Sequence, residues 1–176
     1  MAQVHVPEQQ LHIDPYERRW LIMIVVMLGV FFASLIAGAL IYGVVPAGEG
    51  GFINPQRLDE TMFASPGLRD MGNNHYDLVL LAQMWNWNGN PNYEVRLPVG
   101  AEVEFYVTSR DVTHGMLIEG HNINFEVIPG HIARAHLTFT KAGEYRLLCH
   151  EYCGRLHQAM HATIIVEAAP SAEGTS

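Results

Sequence analysis

From Trp20 through Gly48 the chain carries no charged residue, and the stretch LIMIVVMLGVFFASLIAGALIYGVV inside it is almost wholly apolar. That run is longer than the ~20 residues an apolar helix needs to cross a bilayer. Trp20 and Tyr42 stand near its ends, where amphipathic aromatic side chains favour the membrane–water interface. Arg18 and Arg19 precede the run, and the next basic residue is Arg57, so the positive charge is concentrated on the N-terminal side. The expectation is a transmembrane helix over 20–45 that crosses the cell membrane once, with residues 1–19 in the cytoplasm and the remainder extracytoplasmic (periplasmic in a bacterium). A cleaved signal peptide is the rival reading, because the small residues Ala37 and Ala39 fall late in the run. The run, however, exceeds the roughly 7 to 15 apolar residues of a signal core and follows a long leading segment.

Beyond the run, residues 46–75 mix Gly48, Gly50, Gly51, Pro55, Pro66, Gly67 and Gly72 with polar residues, which predicts a linker. From Tyr76 to Glu167 the pattern becomes one of short strands. Val103, Phe105 and Val107 alternate with Glu102, Glu104, Tyr106 and Thr108, and Ala133, Ala135, Leu137 and Phe139 alternate with Arg134, His136 and Thr138. Further strands are expected at 76–85, 123–128, 144–149 and 161–167, separated by turn signals such as Asn90-Pro91, Pro129-Gly130 and Ala142-Gly143. No amphipathic helix is evident after the apolar run. The fold class predicted is one N-terminal transmembrane helix followed by an all-β Greek-key sandwich over 76–167, with 168–176 as a disordered tail. The formal charge of -8, a pI near 5.6 and a single lysine, Lys141, give nucleic-acid binding no electrostatic basis.

The chemistry is concentrated in Cys149-His-Glu-Tyr-Cys153-Gly-Arg-Leu-His157-Gln-Ala-Met160, which holds both cysteines of the protein. Thiolate, imidazole and thioether together select soft or borderline metals, copper above all. One Cys with His and Met would suggest a mononuclear blue-copper centre. The second Cys allows two thiolates to bridge two copper ions. A single disulfide is the alternative, but the neighbouring His and Met favour metal. A strand ending at Cys149 and another starting at His161 would grip this loop at one end of the sandwich. A further ligand must come from elsewhere, and His114 in Asp111-Val-Thr-His-Gly115 follows the 101–109 strand by a short turn. His5, His12, His75, His121, His131, His136, His150 and His161 have no comparable setting and are expected to be surface or packing residues.

The arrangement H-x34-C-x3-C-x3-H-x2-M resembles the binuclear CuA motif of cytochrome c oxidase subunit II. Val112-Thr-His-Gly-Met-Leu-Ile-Glu-Gly-His-Asn-Ile-Asn124 is similar to that family's first ligand region, and Gly143-Glu-Tyr-Arg146 to its approach to the ligand loop. With one expected membrane helix and Tyr16-Glu-Arg-Arg-Trp20 ahead of it, the chain looks closest to the B-type, ba-type oxidases. The resemblance covers most of 14–167 and implies a cupredoxin-like domain. It further implies that Cys149 and Cys153 bridge two coppers, that His114 and Met160 complete one, and that His157 and the backbone carbonyl of Glu151 complete the other. Such a site relays electrons from cytochrome c, or another small donor, to the haems of subunit I, where oxygen is reduced to water. Glu151 departs from the B-type pattern, in which Gln is common. It is similar to the A-type oxidases, whose Glu helps bind magnesium at the subunit I boundary, or it supplies only its backbone oxygen.

Three residues have two readings each. Asp111 could orient a ligand by accepting its N–H or cap the turn before His114. Trp85 and Trp87, two apart and so on one face of a strand, could receive electrons or pack the core. Acidic residues outnumber basic ones by 14 to 8 from residue 50 onward, which could steer a basic cytochrome or simply favour solubility. A CuA-containing nitric oxide reductase and a membrane-tethered copper carrier or chaperone are the competing functions. Known carriers with paired cysteines resemble thioredoxin and need helices between strands. A structural zinc site suits Met poorly, and nitrous oxide reductase needs a large additional domain.

Overall fold

The computed structural model describes residues 14–42 and 48–168. Most of the N-terminal segment, residues 43–45 of the expected span and nearly all of the expected tail lie outside the described residues. The chain divides into two units, with the break between Val44 and Val45.

The first unit carries one helix, α1, Pro15–Tyr42. It begins ahead of the apolar run because the local sequence starts a helix there. Asp14 Oδ1 accepts the Tyr16 N–H at 2.8 Å, Asp14 O accepts the Arg18 N–H at 2.9 Å, and Pro15 occupies the first helical position. Glu17 in the first turn complements the helix dipole. A helix of 28 residues rises about 42 Å at ~1.5 Å per residue, more than a bilayer core requires. Within its own unit, the described residues leave its apolar stretch uncovered. Leu21, Phe31, Phe32 and Ile36 therefore need an apolar environment supplied from outside, which a membrane provides.

Among the described residues, the second unit is a sandwich of eleven strands: β1 Gly48–Phe52, β2 Gly67–Gly72, β3 His75–Gln83, β4 Asn86–Trp87, β5 Tyr93–Pro98, β6 Glu102–Ser109, β7 His114–Ile118, β8 Ile123–Val127, β9 His131–Thr138, β10 Gly143–Leu148 and β11 His161–Glu167. One sheet runs β1-β9-β6-β3-β2, with β4 paired to β3, and the other runs β5-β11-β10-β7-β8. Pairing is antiparallel except at β3–β6 and β5–β11. The period-two pattern is realised directly. Val103, Phe105 and Val107 of β6 face Ala162, Ile164 and Val166 of β11 within one core, together with Leu78, Leu80, Trp87, Met116 and Leu147.

Of the expected linker 46–75, the described part 48–75 is built into the sandwich. It supplies β1 and β2 as sheet strands and two short 3-10 turns, Leu58–Glu60 and Met62–Ala64. Leu58 and Phe63 are buried, at 2% and 1% exposure, against Val79 and Leu81 on the outer face of β3. The signal for this lay in β3 itself. Leu78–Ala82 is a continuous apolar run rather than an alternating one, the mark of a strand covered on both faces. Glycines and prolines in 46–75 shape the turns of this cover without making it a tether.

Trp85 and Trp87 do not share a strand face, because β3 ends at Gln83 and the chain turns through Met84 and Trp85 before β4. Trp87 is fully buried in the core. Trp85 lies beside Gly154 of the ligand loop.

Candidate metal centre

β10 and β11 set the ligand loop. Their last paired residues are Leu148 and His161, and the Cys149 N–H donates to Met160 O at 3.1 Å immediately beyond. The loop's two ends are thereby held side by side. Within it, a 3-10 turn at His157–Ala159, with the His157 N–H bonded to Gly154 O at 3.1 Å, carries His157 back toward Cys153. His114 opens β7 in the same sheet, at the point where the chain crosses over from β6.

These elements bring together five side chains that the sequence singled out. Cys149 Sγ and Cys153 Sγ lie 3.8 Å apart as free thiols. His114 Nδ1 is 3.8 Å from Cys149 Sγ, His157 Nδ1 is 3.5 Å from Cys153 Sγ, and Met160 Sδ is 3.7 Å from Cys153 Sγ. His114, Cys149, Cys153 and Met160 are buried, and His157 is half-buried. The metal-binding atoms of His114, Cys149 and Cys153 all fall within 4.8 Å of one another. Glu151 offers its backbone carbonyl, 3.3 Å from Cys149 Sγ, while its side chain is exposed.

Asp111 does both things expected of it. Its Oδ1 accepts the Val112 N–H at 2.7 Å, closing the turn, and meets His114 Nε2 at 2.9 Å. Its Oδ2 accepts the Met84 N–H at 2.8 Å, tying the β3–β4 turn to the site. Burial works against charge on Asp111, but the Met84 N–H, His114 and the Val112 N–H outweigh it and hold its pKa below the ordinary carboxylate value. A carboxylate at Nε2 fixes the proton there and leaves Nδ1, the nitrogen facing Cys149, for a metal. Burial also opposes the charged form of His114, yet its bonds to Cys149 and Asp111 leave its pKa raised.

The two thiols differ. Burial raises the Cys149 pKa, but the bonds from His114 and the Gly115 N–H bring it below its usual value. Burial and the charge of Cys149 push Cys153 up to about 12. Coordination needs thiolate, so loading at neutral pH must displace the Cys153 proton. Proton release on metal addition, followed with an indicator dye in weak buffer, is expected to be at least one per site. Apparent affinity should rise about tenfold per pH unit for each proton displaced. Affinity independent of pH would contradict this.

The sequence overlooked two further contacts. Trp85 Nε1, buried without a hydrogen-bond partner, faces Gly154, whose positive φ of 122° and lack of a Cβ let the indole approach the ligand loop. His150, expected as a surface or packing residue, lies against Gly115, the residue after His114.

The donor set fits copper. It is soft or borderline throughout, and two thiolates 3.8 Å apart can both reach one ion at the ~2.3 Å typical of metal–thiolate bonds. Donors of this kind on a β-sandwich, with an apolar helix ahead of it, define a membrane-anchored, cupredoxin-like copper protein. Residues 84–169 match the family described as cytochrome c oxidase subunit II, periplasmic domain. Cytochrome c oxidase subunit 2 of Thermus thermophilus is 41% identical over 170 residues, covering 92% of this chain and 99% of its own length. A probable cytochrome c oxidase subunit 2 of Streptomyces coelicolor is 39% identical over 72 residues, or 41% of this chain and 23% of the relative. Among solved structures, a chain of a haem-copper terminal oxidase dimer aligns with a TM-score of 0.68 at 34% identity, covering 86% of this chain and 99% of that one. The chain belongs to the cytochrome c oxidase subunit II family and is the electron-entry subunit of a haem-copper terminal oxidase. A thioredoxin-like carrier is excluded on the fold as well, since no α-helix follows α1 among the described residues.

Proposed function

We propose that the centre is a binuclear CuA site filled from cytochrome c and emptied into the haems of subunit I. Cys149 and Cys153 would hold both coppers between them, with His114 and Met160 serving one and His157 with the Glu151 carbonyl serving the other. The observation that carries this is the pairing of two close sulfurs, each with its own imidazole: His114 beside Cys149 and His157 beside Cys153. A mononuclear blue-copper site uses a single thiolate and would leave the second without a role. When bound, the copper pair supplies a one-electron carrier whose charge is shared over both metals.

The protein's part is to hold these donors still and dry. The β10–β11 ladder and the Cys149–Met160 backbone bond fix the loop, Asp111 fixes the His114 ring, and burial of Met160 at 2% exposure closes the site from beneath. Donors on every side suit electron relay better than substrate turnover. The carbonyl reading of Glu151 is supported by its approach to Cys149, and its exposed carboxylate is where a magnesium shared with subunit I would sit. Trp85, lying against Gly154 next to Cys153, is the better-placed aromatic for electron entry. The one long apolar helix among the described residues accords with the B-type branch, and Arg18 and Arg19 at its start support a cytoplasmic N-terminus with the copper domain on the other side.

The test mixes reduced cytochrome c with the copper-loaded protein in the absence of oxygen. Oxidation of the cytochrome should accompany loss of the copper absorption, at a rate that falls as salt screens the acidic exterior. Absence of transfer, or a rate indifferent to ionic strength, would count against a basic cytochrome as donor.

A further inference from the structure

The ladder between β7 and β10 ends at Leu148↔Leu117. In continued register, Cys149 and His150 would fall opposite Met116 and Gly115. There is no further backbone pairing at that point, and the His150 side chain takes its place. A Cβ on Gly115 would lie 2.6 Å from three atoms of the His150 ring, so the imidazole occupies the space that a side chain at 115 would fill. Its Nε2 reaches past β7 to Phe125 O of β8 at 3.2 Å. Gly115 pairs with Glu126, and Met116 with Phe125, so the ring spans both strands of the hairpin that presents His114.

One glycine thus follows the ligand His114 and forms the seat of the residue that follows the ligand Cys149. We propose that His150 is a positioning residue, a clamp that locks the Cys149 end of the ligand loop to the β7–β8 hairpin. The opposite end of the loop is tied by the Cys149–Met160 backbone bond. The β7–β10 ladder stops at Leu148, so beyond it His150 is what ties the start of the loop to the hairpin apart from the ligands themselves. Residues that orient a ligand tune the metal it holds.

The copper-dependent part of this inference rests on the proposed binuclear site, and the clamp itself does not. The experiment uses the full-length chain in detergent, as wild type, His150→Ala, Gly115→Ala and the double variant. In the copper-free protein, amide hydrogen exchange over 149–160 should speed several-fold in His150→Ala while the β3–β6 ladder is unchanged. Once loaded, His150→Ala should keep the wild-type copper content and far-ultraviolet circular dichroism but shift the visible bands and the midpoint potential and release copper faster. Gly115→Ala must displace the ring and should lose copper affinity markedly. In the His150→Ala background the same change should cost far less, because the colliding group is gone. If His150→Ala leaves loop exchange, bands and potential at wild-type values, or if the two substitutions are simply additive, the clamp is refuted. If wild type fails to take up two coppers while loop exchange still responds to His150→Ala, the binuclear reading falls and the clamp stands.

Discussion

Replacing Cys149 or Cys153 by Ser is expected to abolish the delocalised copper centre while leaving the sandwich folded. Each change removes one of two thiolates that stand 3.8 Å apart, and a hard hydroxyl neither bridges nor shares charge with copper as sulfur does. Both cysteines are part of the main core, at 8% and 3% exposure, but Ser is close to Cys in volume and leaves no large cavity. The unfolding cost should therefore stay within about 1–3 kcal/mol, the range for burying a hydroxyl without full compensation. Met160→Leu should be milder. Leu conserves the volume of a residue only 2% exposed at a cost of less than ~1.5 kcal/mol, and copper keeps its remaining ligands with an altered charge distribution. His114→Ala and His157→Ala should fall between, each weakening one copper. Copper content and visible spectrum, set beside far-ultraviolet circular dichroism of the same samples, decide the matter. A Cys149→Ser protein that keeps the wild-type spectrum, or a Met160→Leu protein as damaged as either Cys variant, would overturn the assigned roles.

A second large effect is expected from where a soluble fragment is cut. A fragment starting at Asn74 preserves every proposed copper ligand but removes β1, β2, Leu58 and Phe63. Val79 and Leu81 of the central strand β3 are then bared on their outer face. Loss of the Leu58 and Phe63 side chains alone is worth roughly 1.5–3 kcal/mol each, a large share of the ~5–15 kcal/mol by which domains are stable. The ladders β1–β9 and β2–β3 are lost in addition. A fragment beginning at Ala47 should melt cooperatively and bind copper, whereas one beginning at Asn74 should be insoluble or melt much lower. Equal melting temperatures would mean that 47–73 is dispensable to the sandwich.

That segment also shows where the sequence could be read and where it could not. Period-two alternation in 102–109 and 161–167 foretells β6 and β11 because one face of each packs into the main core and the other is mostly less buried. Residues 48–72 have no such period: their strands lie at sheet edges and their two buried anchors sit in 3-10 turns. The alternation of Tyr93, Val95 and Leu97 with Glu94 and Arg96 was present as a signal for β5, hidden between Asn90-Pro91 and Pro98. At the site, ligand spacing reveals chemistry because metal ligands must be particular residue types. The Gly115–His150 contact is invisible to spacing, since it depends on strand register and on space left by an absent side chain. The same limit explains Trp87, whose pairing with Trp85 presupposed a continuous strand where the chain in fact turns.

The most direct test of a shared binuclear centre is paramagnetic resonance of the oxidised, copper-saturated protein, run beside a copper assay of the same sample. The structure's two sulfurs, each with its own imidazole, predict two coppers per chain and a hyperfine pattern from one unpaired electron spread over both nuclei. A spectrum of a single copper nucleus at saturating metal would contradict it, because the two sulfurs would then have no second copper to share.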